Sequence, residues 1–229
     1  MNVLAIDTAT ARCSVALCTG SGNGQRMQDS SGRHSSLILG MIRELLCSRE
    51  MTLGDLDLVA VDVGPGSFTG LRVGVGIAQG LAYAAGLPVV GIGSLAALSG
   101  AYPQQTVIPA LDARMNQVYW GVYRAGECIV QPHVDDPCRL ESELASLSLP
   151  DTPMGIGNGW TAYPDSMPVE LAGRPLEIRG EHLPEALQIA QLAASVGPAE
   201  RVSPLGLEVA YVRNRVAEVM SGGAGTPES

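Results

Sequence analysis

The fold of this chain is decided by residues 56–85, whose sequence is LDLVAVDVGPGSFTGLRVGVGIAQGLAYAA. The first eight residues are apolar apart from two aspartates, which predicts a buried strand at 56–63. A glycine-rich turn follows at 64–70, and residues 70–85 are apolar with helical periodicity. A strand, a glycine-rich turn and a helix in direct succession are typical of an α/β protein.

Further elements are predicted on both sides of this stretch. Upstream, apolar runs predict strands at 3–6, 14–18 and 25–30 and a helix at 35–49. Downstream, similar runs predict strands at 88–92, 107–111, 118–123, 127–131 and 154–159, and a helix at 184–196.

The pattern of apolar segments is interrupted at residues 101–105, and we place a boundary between two lobes there. This division predicts an N-terminal α/β lobe at 1–103 and a smaller C-terminal α/β lobe at 104–204. Residues 205–219 are partly apolar and are expected to pack back on the first lobe. The last residues, 221–229, are rich in Gly and Ser and predict a flexible tail.

The two helices of the first lobe carry more apolar surface than one sheet can cover. On a helical wheel the apolar residues of 35–49 span roughly 200°, whereas a surface helix needs an apolar stripe of about 100°. Helix 70–85 has only a narrow polar strip and carries two lines of small residues four apart. These lines are Gly70, Gly74 and Ala78, and Gly76, Gly80 and Ala84. Glycine inside a helix costs about 1 kcal/mol relative to Ala, which favours close packing as its explanation.

We therefore expect both helices to form a docking surface for another subunit, although the wheel does not show which edge faces outward. The candidate contacts are Leu37, Ile38, Met41, Leu45, Leu71, Gly74, Val75 and Ala78. Without that subunit, the same apolar surface could pair with a second copy as a homodimer.

The composition excludes several classes of function. The 229 residues carry a net charge of −9 and contain no lysine, which disfavours direct tRNA binding and excludes Schiff-base chemistry. The five cysteines have no CxxC spacing and predict reduced thiols in a cytoplasmic protein. The N-terminus does not resemble a signal peptide, and no apolar run reaches the length of a membrane span.

Two polar turns are candidate remnants of a nucleotide site. The first consists of Asp7, Thr8 and Thr10 after the first strand, and the second contains Gly64, Gly66 and Ser67. Either turn could contact phosphate, but a plain structural turn remains the alternative. A Walker loop requires GK[ST], a dinucleotide motif requires Gly at 69, and a hydrolase elbow requires Gly at 65 and 69. None of these is present.

No pattern of catalytic residues is evident in the sequence. The three histidines are far apart, so neither HExxH nor HxxxH zinc chemistry is predicted. The charged pair in Asp112-Ala113-Arg114 follows a strand and predicts a salt bridge within a turn. The sequence therefore predicts no metal site and no catalytic residues.

Several segments resemble the TsaB (YeaZ) family, and together they cover nearly the whole chain. The most specific is the run from Val61 to Gly74. Residues 132–180 match least. The other matching segments are residues 4–9, 33–35, 78–82, 88–95, 112–114 and 211–213.

The resemblance implies an actin-like, Hsp70-like two-lobed ATPase fold with mixed sheets flanked by helices. It implies a role as the non-catalytic partner of TsaD, together with TsaE, in making threonylcarbamoyladenosine next to the tRNA anticodon from the product of TsaC. It implies that the chain binds no cofactor by itself and that ATP or ADP could bind at the interface between the subunits. TsaD-like enzymes carry a metal-binding HxxxH where this chain has Ser94 and Leu98. An independent ATP-hydrolysing enzyme or a peptidase is the alternative.

Overall fold

The computed structural model describes residues 1–29, 34–147, 149 and 152–212, without the side chains of His34 and Ser35. Its first sheet has five strands in the order β3-β2-β1-β4-β5. The first three strands are antiparallel, whereas β4 and β5 run parallel to β1. The strands are β1 (Val3–Asp7), β2 (Arg12–Thr19), β3 (Gly22–Asp29), β4 (Leu58–Gly64) and β5 (Val89–Gly93).

The second sheet repeats this topology. Its order is β12-β9-β6-β7-β8, with β6, β7 and β8 antiparallel and β9 and β12 parallel to β6. Two lobes with the same strand order and directions define the actin-like fold. The strands are β6 (Thr106–Arg114), β7 (Gln117–Arg124), β8 (Glu127–Asp135), β9 (Met154–Ile156) and β12 (Glu177–Arg179), while β10 (Glu170–Leu171) and β11 (Arg174–Pro175) form a separate pair.

Helices cover both faces of the first sheet. Alternate residues of β1 point to opposite faces, so Leu4 and Ile6 pack with one set of helices, and Val3 and Ala5 with another. The first set is α1 (His34–Cys47) and α2 (Phe68–Ala85). The opposite face packs mainly against α6 (Ala186–Ser195), and the remaining helices are α3 (Ser94–Ser99), α4 (Leu140–Ala145) and α5 (Gly159–Ala162).

The predicted lobe boundary is wrong at its C-terminal end. Helix α6 was assigned to the second lobe, but its residues Ala186, Ile189, Ala190 and Ala193 are buried against the first sheet. The chain returns to the first lobe because this sheet has a second apolar face that α1 and α2 do not reach.

A C-terminal strap, residues 202–212, also packs on the first lobe. Val202 and Val89 exchange two backbone hydrogen bonds (N to O, 2.9 Å each) at the edge of the sheet. Leu207 is buried beside α2, and the N–H of Ala210 donates to the carbonyl oxygen of Val63 (2.8 Å). The predicted packing of 205–219 is therefore observed as far as residue 212; residues 213–219 and the predicted tail at 221–229 lie outside the described residues.

Most predicted elements are present with shifted ends. The helix predicted at 70–85 begins at Phe68 because Ser67 is its N-cap, and it ends at Gly86, whose φ of 67° is left-handed. Helices α3 and α4 were not predicted, since six-residue helices carry little periodicity. Among the described residues, no helix is long and apolar enough to cross a membrane.

Candidate functional site: the inter-lobe cleft and the outer faces of two helices

The two polar turns predicted from the sequence are bound to each other. The backbone N–H of Ser67 donates to the carbonyl oxygen of Ala9 (2.7 Å). The hydroxyl of Thr8 donates to the carbonyl oxygen of Gly70 (2.8 Å), and the Ser67 hydroxyl accepts from the N–H of Gly70 (3.2 Å). These contacts fix the start of α2 against the end of β1.

Glycine is required at several positions of this junction. A Cβ at Gly66 or Gly70 would overlap the carbonyl oxygen of Ala9 or Thr8, and one at Gly74 would overlap the Thr8 hydroxyl. Gly64 has φ 108°, a conformation that other residues rarely adopt. The first glycine line of α2 is therefore explained by packing within the chain.

Two aspartates meet beneath the junction. Asp7 is the last residue of β1 and Asp62 lies two residues before the end of the neighbouring parallel strand β4, and both are fully buried. Asp7 Oδ1 accepts from the N–H of Ala9 (2.9 Å). Asp62 Oδ1 accepts from the N–H of Gly64 (2.7 Å) and from the Ser94 hydroxyl (2.6 Å). The Oδ2 atom of each aspartate has no hydrogen-bond partner among the described residues, and the two carboxyl groups interact electrostatically.

This carboxyl pair retains a proton. Burial raises the pKa of Asp7 well above its usual range, and the charge of Asp62 raises it further. Burial raises the pKa of Asp62 to about 6, opposed by the hydrogen bonds from Ser94 and Gly64.

A cleft of about 530 Å³ separates the lobes above this junction. Its first-lobe wall includes Thr10, Gly66 and Ser67, three of the predicted nucleotide-loop residues; Asp7 and Thr8 are buried beneath it. On the opposite wall, Arg114 Nη1 lies 3.1 Å from Asp112 Oδ2, so the predicted salt bridge is present, at the end of β6 rather than in a turn after it. The remaining lining residues are Ala9, Ala11, Phe68, Thr69, Leu111, Ala113, Tyr119 and Asn158.

The described part of the chain contains no group of three or more His, Cys, Asp or Glu residues that could hold a metal ion. Ser94, which stands at an expected ligand position of TsaD-like enzymes, instead donates its hydroxyl hydrogen bond to Asp62. Leu98, at the second position, is buried in the core. No local sequence pattern predicts the contact between Ser94 and Asp62, because the residues are 32 positions apart.

Most residues predicted as partner contacts lie in the protein's own core. On α1, Ile38, Met41 and Leu45 are between 0 and 7 % exposed, and only Leu37 is half-buried. The α2 residues Leu71, Gly74, Val75 and Ala78 are also buried. The expectation that these side chains form an exposed docking face is therefore wrong for all of them except Leu37. These side chains pack on the first sheet. The apolar surface that each helix buries there is wider than the narrow apolar stripe of an ordinary surface helix.

A different set of residues forms the outer faces of the two helices. Space is open where a Cβ would stand at Gly40, Gly76 and Gly80. Gly76 and Gly80 are exposed, and Val73 and Ile77 beside them on α2 are half-buried. We call Gly76, Gly80, Val73, Ile77 and Ala84 the outer glycine face of α2. It is smooth and largely apolar, and it includes the second glycine line noted in the sequence.

The fold and the site define a class of protein. A family model described as TsaD, tRNA N6-adenosine threonylcarbamoyltransferase, matches residues 26–214. Two lobes of repeated topology together with this match make the chain an actin-like protein related to that transferase.

Individual relatives narrow this class. The chain is 34 % identical to the tRNA threonylcarbamoyladenosine biosynthesis protein TsaB of Haemophilus influenzae, covering 94 % of this chain and 95 % of the relative. It is also 34 % identical to the Escherichia coli protein of the same name, covering 95 % and 96 %. The chain belongs to the TsaB (YeaZ) family. A Pseudomonas aeruginosa crystal structure of a protein with similarity to peptidase YEAZ has a TM-score of 0.80 and 31 % identity, covering 93 % of this chain and 99 % of that one.

Proposed function

We propose that this chain is the non-catalytic, activating partner of a TsaD-family subunit in the synthesis of threonylcarbamoyladenosine beside the tRNA anticodon. Its named relatives are proteins of that biosynthesis, and its family model is that of the transferase. This chain has the fold of the transferase family but lacks the metal ligands expected of TsaD-like enzymes. Such a relative is suited to bind the enzyme rather than to replace it.

The observation that carries the proposal is the outer glycine face of α2. Glycines 76 and 80 each cost about 1 kcal/mol relative to Ala in a helix. Nothing within 4 Å of their missing Cβ positions explains that cost inside the chain. A second helix packed closely across Gly76 and Gly80 would explain it, because helix separation depends on the side chains at the crossing. Gly40 on α1 is likewise open where a Cβ would stand.

The cleft supports a non-catalytic role. Its charged residues Asp112 and Arg114 form a salt bridge with each other, and Asp112 Oδ1 also accepts from the Tyr163 hydroxyl (2.8 Å). Asp7 and Asp62 are fully buried and share a proton. Neither pair is placed as a free base beside a nucleophile, which hydrolysis of ATP or of a peptide would require.

The other partners follow from the same role. TsaE and TsaC would act with the TsaD-bound complex, and ATP or ADP would be bound at a subunit interface rather than by this chain alone. The isolated chain would cover its outer glycine face by forming a homodimer. With a net charge of −9 and no lysine, it would meet tRNA only through other subunits, in the cytoplasm.

Substitution of the outer glycines tests the proposal. We expect Gly76→Leu and Gly80→Leu to weaken binding to the TsaD-family protein of the same organism by about 30-fold or more, a loss of the size seen at interface hot spots. Both positions are exposed, so the isolated variants should fold. Affinity is measured by calorimetry, and modified adenosine in reconstituted tRNA by mass spectrometry.

Ala194→Leu provides the matched control, because Ala194 is exposed on α6 at the opposite face of the first sheet. It should leave binding and modification unchanged. Wild-type affinity in both glycine variants would contradict the docking face, and ATP turnover by the purified chain alone would contradict the non-catalytic role.

A further inference from the structure

An arginine stands at one end of the outer glycine face, held between two aromatic rings. The Cζ atom of Arg72 lies 3.3 Å from the ring centroid of Phe68 and 5.5 Å from that of Tyr211. Both rings are largely exposed, Phe68 at 65 % and Tyr211 at 56 %. Exposed aromatic side chains around a cation are unusual on a surface that has no further contact to make.

Hydrogen bonds also fix the guanidinium. Arg72 Nη1 donates to the carbonyl oxygen of Phe68 (3.3 Å), and Nη2 donates to the Tyr211 hydroxyl. These bonds use two of its five N–H donors. Within the described ranges, no carboxylate lies within 4.0 Å of this guanidinium. Arg72 is therefore a positioned cation whose charge is not neutralised by a carboxylate of the described residues.

The position of Arg72 joins it to the proposed docking surface. Arg72, Gly76 and Gly80 are four residues apart and are all exposed, so they form one line along α2. A helix crossing the two glycines would bring its own side chains next to the guanidinium. Arginine forms paired hydrogen bonds with a carboxylate, and a guanidinium held in place loses less entropy on binding than a mobile one.

We infer that Arg72 is an anion-recognition point that binds an Asp or Glu carboxylate on the docked helix of the TsaD-family subunit. This inference rests on the proposed function. A protein carboxylate fits better than a tRNA phosphate because phosphate binding requires several cations together, and this chain has a net charge of −9. The apolar glycine face beside Arg72 also matches a protein helix.

The C-terminal strap becomes part of the recognition surface. Gln79 Nε2 donates to the carbonyl oxygen of Leu207 (3.1 Å), and Ala210 is hydrogen-bonded to Val63. These contacts hold the strap along α2 and bring Tyr211 to Arg72. Tyr211 is thus a positioning residue: it orients the guanidinium without touching the partner's carboxylate itself.

Binding of the purified TsaD-family protein of the same organism, measured from low to high salt, tests this inference. We expect Arg72→Gln to weaken binding about tenfold or more at low salt, and to flatten its salt dependence, because a positioned charge pair is lost. Arg72→Lys should be intermediate, since it keeps the charge but not the planar fork. Tyr211→Leu should weaken binding less than Arg72→Gln, and Arg124→Gln, at an exposed arginine of the second lobe, should have no effect.

Charge exchange identifies the occupant. Arg72→Glu should abolish binding, and one Asp→Arg or Glu→Arg substitution on the partner should restore it. Wild-type affinity of Arg72→Gln, or no rescue by any acidic position of the partner, would overturn the inference while leaving the proposed function intact. Absence of binding by the wild-type chain would instead refute the proposed function. Retention of tRNA by the chain alone, lost in Arg72→Gln, would assign the site to phosphate.

Discussion

Asp7 and Asp62 form a buried acidic pair, and no described Arg or His forms an ion pair with either residue. Two ionised carboxylates in the interior would repel each other and lose their hydration, so one proton is kept between them. Each carboxyl group also holds a turn that lines the cleft, because Asp7 accepts from Ala9 and Asp62 accepts from Gly64. The pair therefore holds two turns beside the cleft in place.

The raised pKa values of Asp7 and Asp62 predict that the free energy of unfolding decreases as pH rises. Unfolded aspartate titrates near 3.9, whereas the pKa of folded Asp62 is about 6 and that of Asp7 is raised well above its usual range. The stabilising effect of the protons is complete below about pH 4 and is lost as pH rises through the folded values. We expect the free energy of unfolding to fall by on the order of 1 kcal/mol between pH 5 and pH 8.

Asp7→Asn should reduce that fall by the contribution of Asp7 and leave the contribution of Asp62. The amide can donate to Asp62 and accept from Ala9, as protonated Asp7 does, but it does not titrate. Urea unfolding at pH 5 and pH 8 measures the difference. Asp7→Ala is the control, because it removes the acceptor of the Ala9 N–H and lowers stability at both pH values. An equal pH dependence in wild type and Asp7→Asn would show that Asp7 does not titrate in this range.

At the scale of a helix, α2 carries two glycine lines with opposite environments. Gly70 and Gly74 press against the end of β1, where a Cβ would overlap Thr8. Gly76 and Gly80 face open space. The same residue type therefore serves internal packing on one side of the helix and leaves an accessible surface on the other.

Single Gly→Ala substitutions separate the two lines. Gly80→Ala should stabilise the isolated chain by about 0.5–1 kcal/mol, because it removes the entropy cost of glycine without a clash. Gly74→Ala should destabilise it by about 1–3 kcal/mol, because the added Cβ overpacks the Thr8 junction. Chemical denaturation measures both values. Destabilisation by Gly80→Ala would mean that its surroundings are not open in the isolated chain.

The sequence predicts the existence of this helix but not its orientation. The wheel shows that α2 is apolar on most sides, and Ser67 and Gly86 mark its ends. It cannot show which arc meets the sheet, since both glycine lines satisfy the same spacing. Contacts between distant residues, such as Ser94 with Asp62, depend on strand order, which local patterns do not specify. Because the wheel does not show which arc of a helix meets the sheet, Met41 and Val75 are predicted to be exposed although they are buried.

At the scale of the whole molecule, the chain crosses between the lobes and returns. The first lobe comprises the N-terminal segment together with α6 and the C-terminal strap. Strand order could be predicted for the contiguous strands β1, β2 and β3, because successive strands form an antiparallel meander. The return of α6 could not be predicted, because its apolar face is compatible with either sheet.

This return makes the stability of the first lobe depend on residues near the C-terminus. Ile189 is fully buried in α6 against the first sheet, whereas Gln191 two positions later is exposed. Ile189→Ala should lower the free energy of unfolding by about 2–5 kcal/mol, the cost of truncating a large buried side chain, while Gln191→Ala should change it by less than about 0.5 kcal/mol.

A fragment of residues 1–103 should not fold alone, because one apolar face of its sheet would lie in water. Urea unfolding of the variants and circular dichroism of the fragment measure these effects, and a stably folded fragment would show that α6 is dispensable to the first lobe.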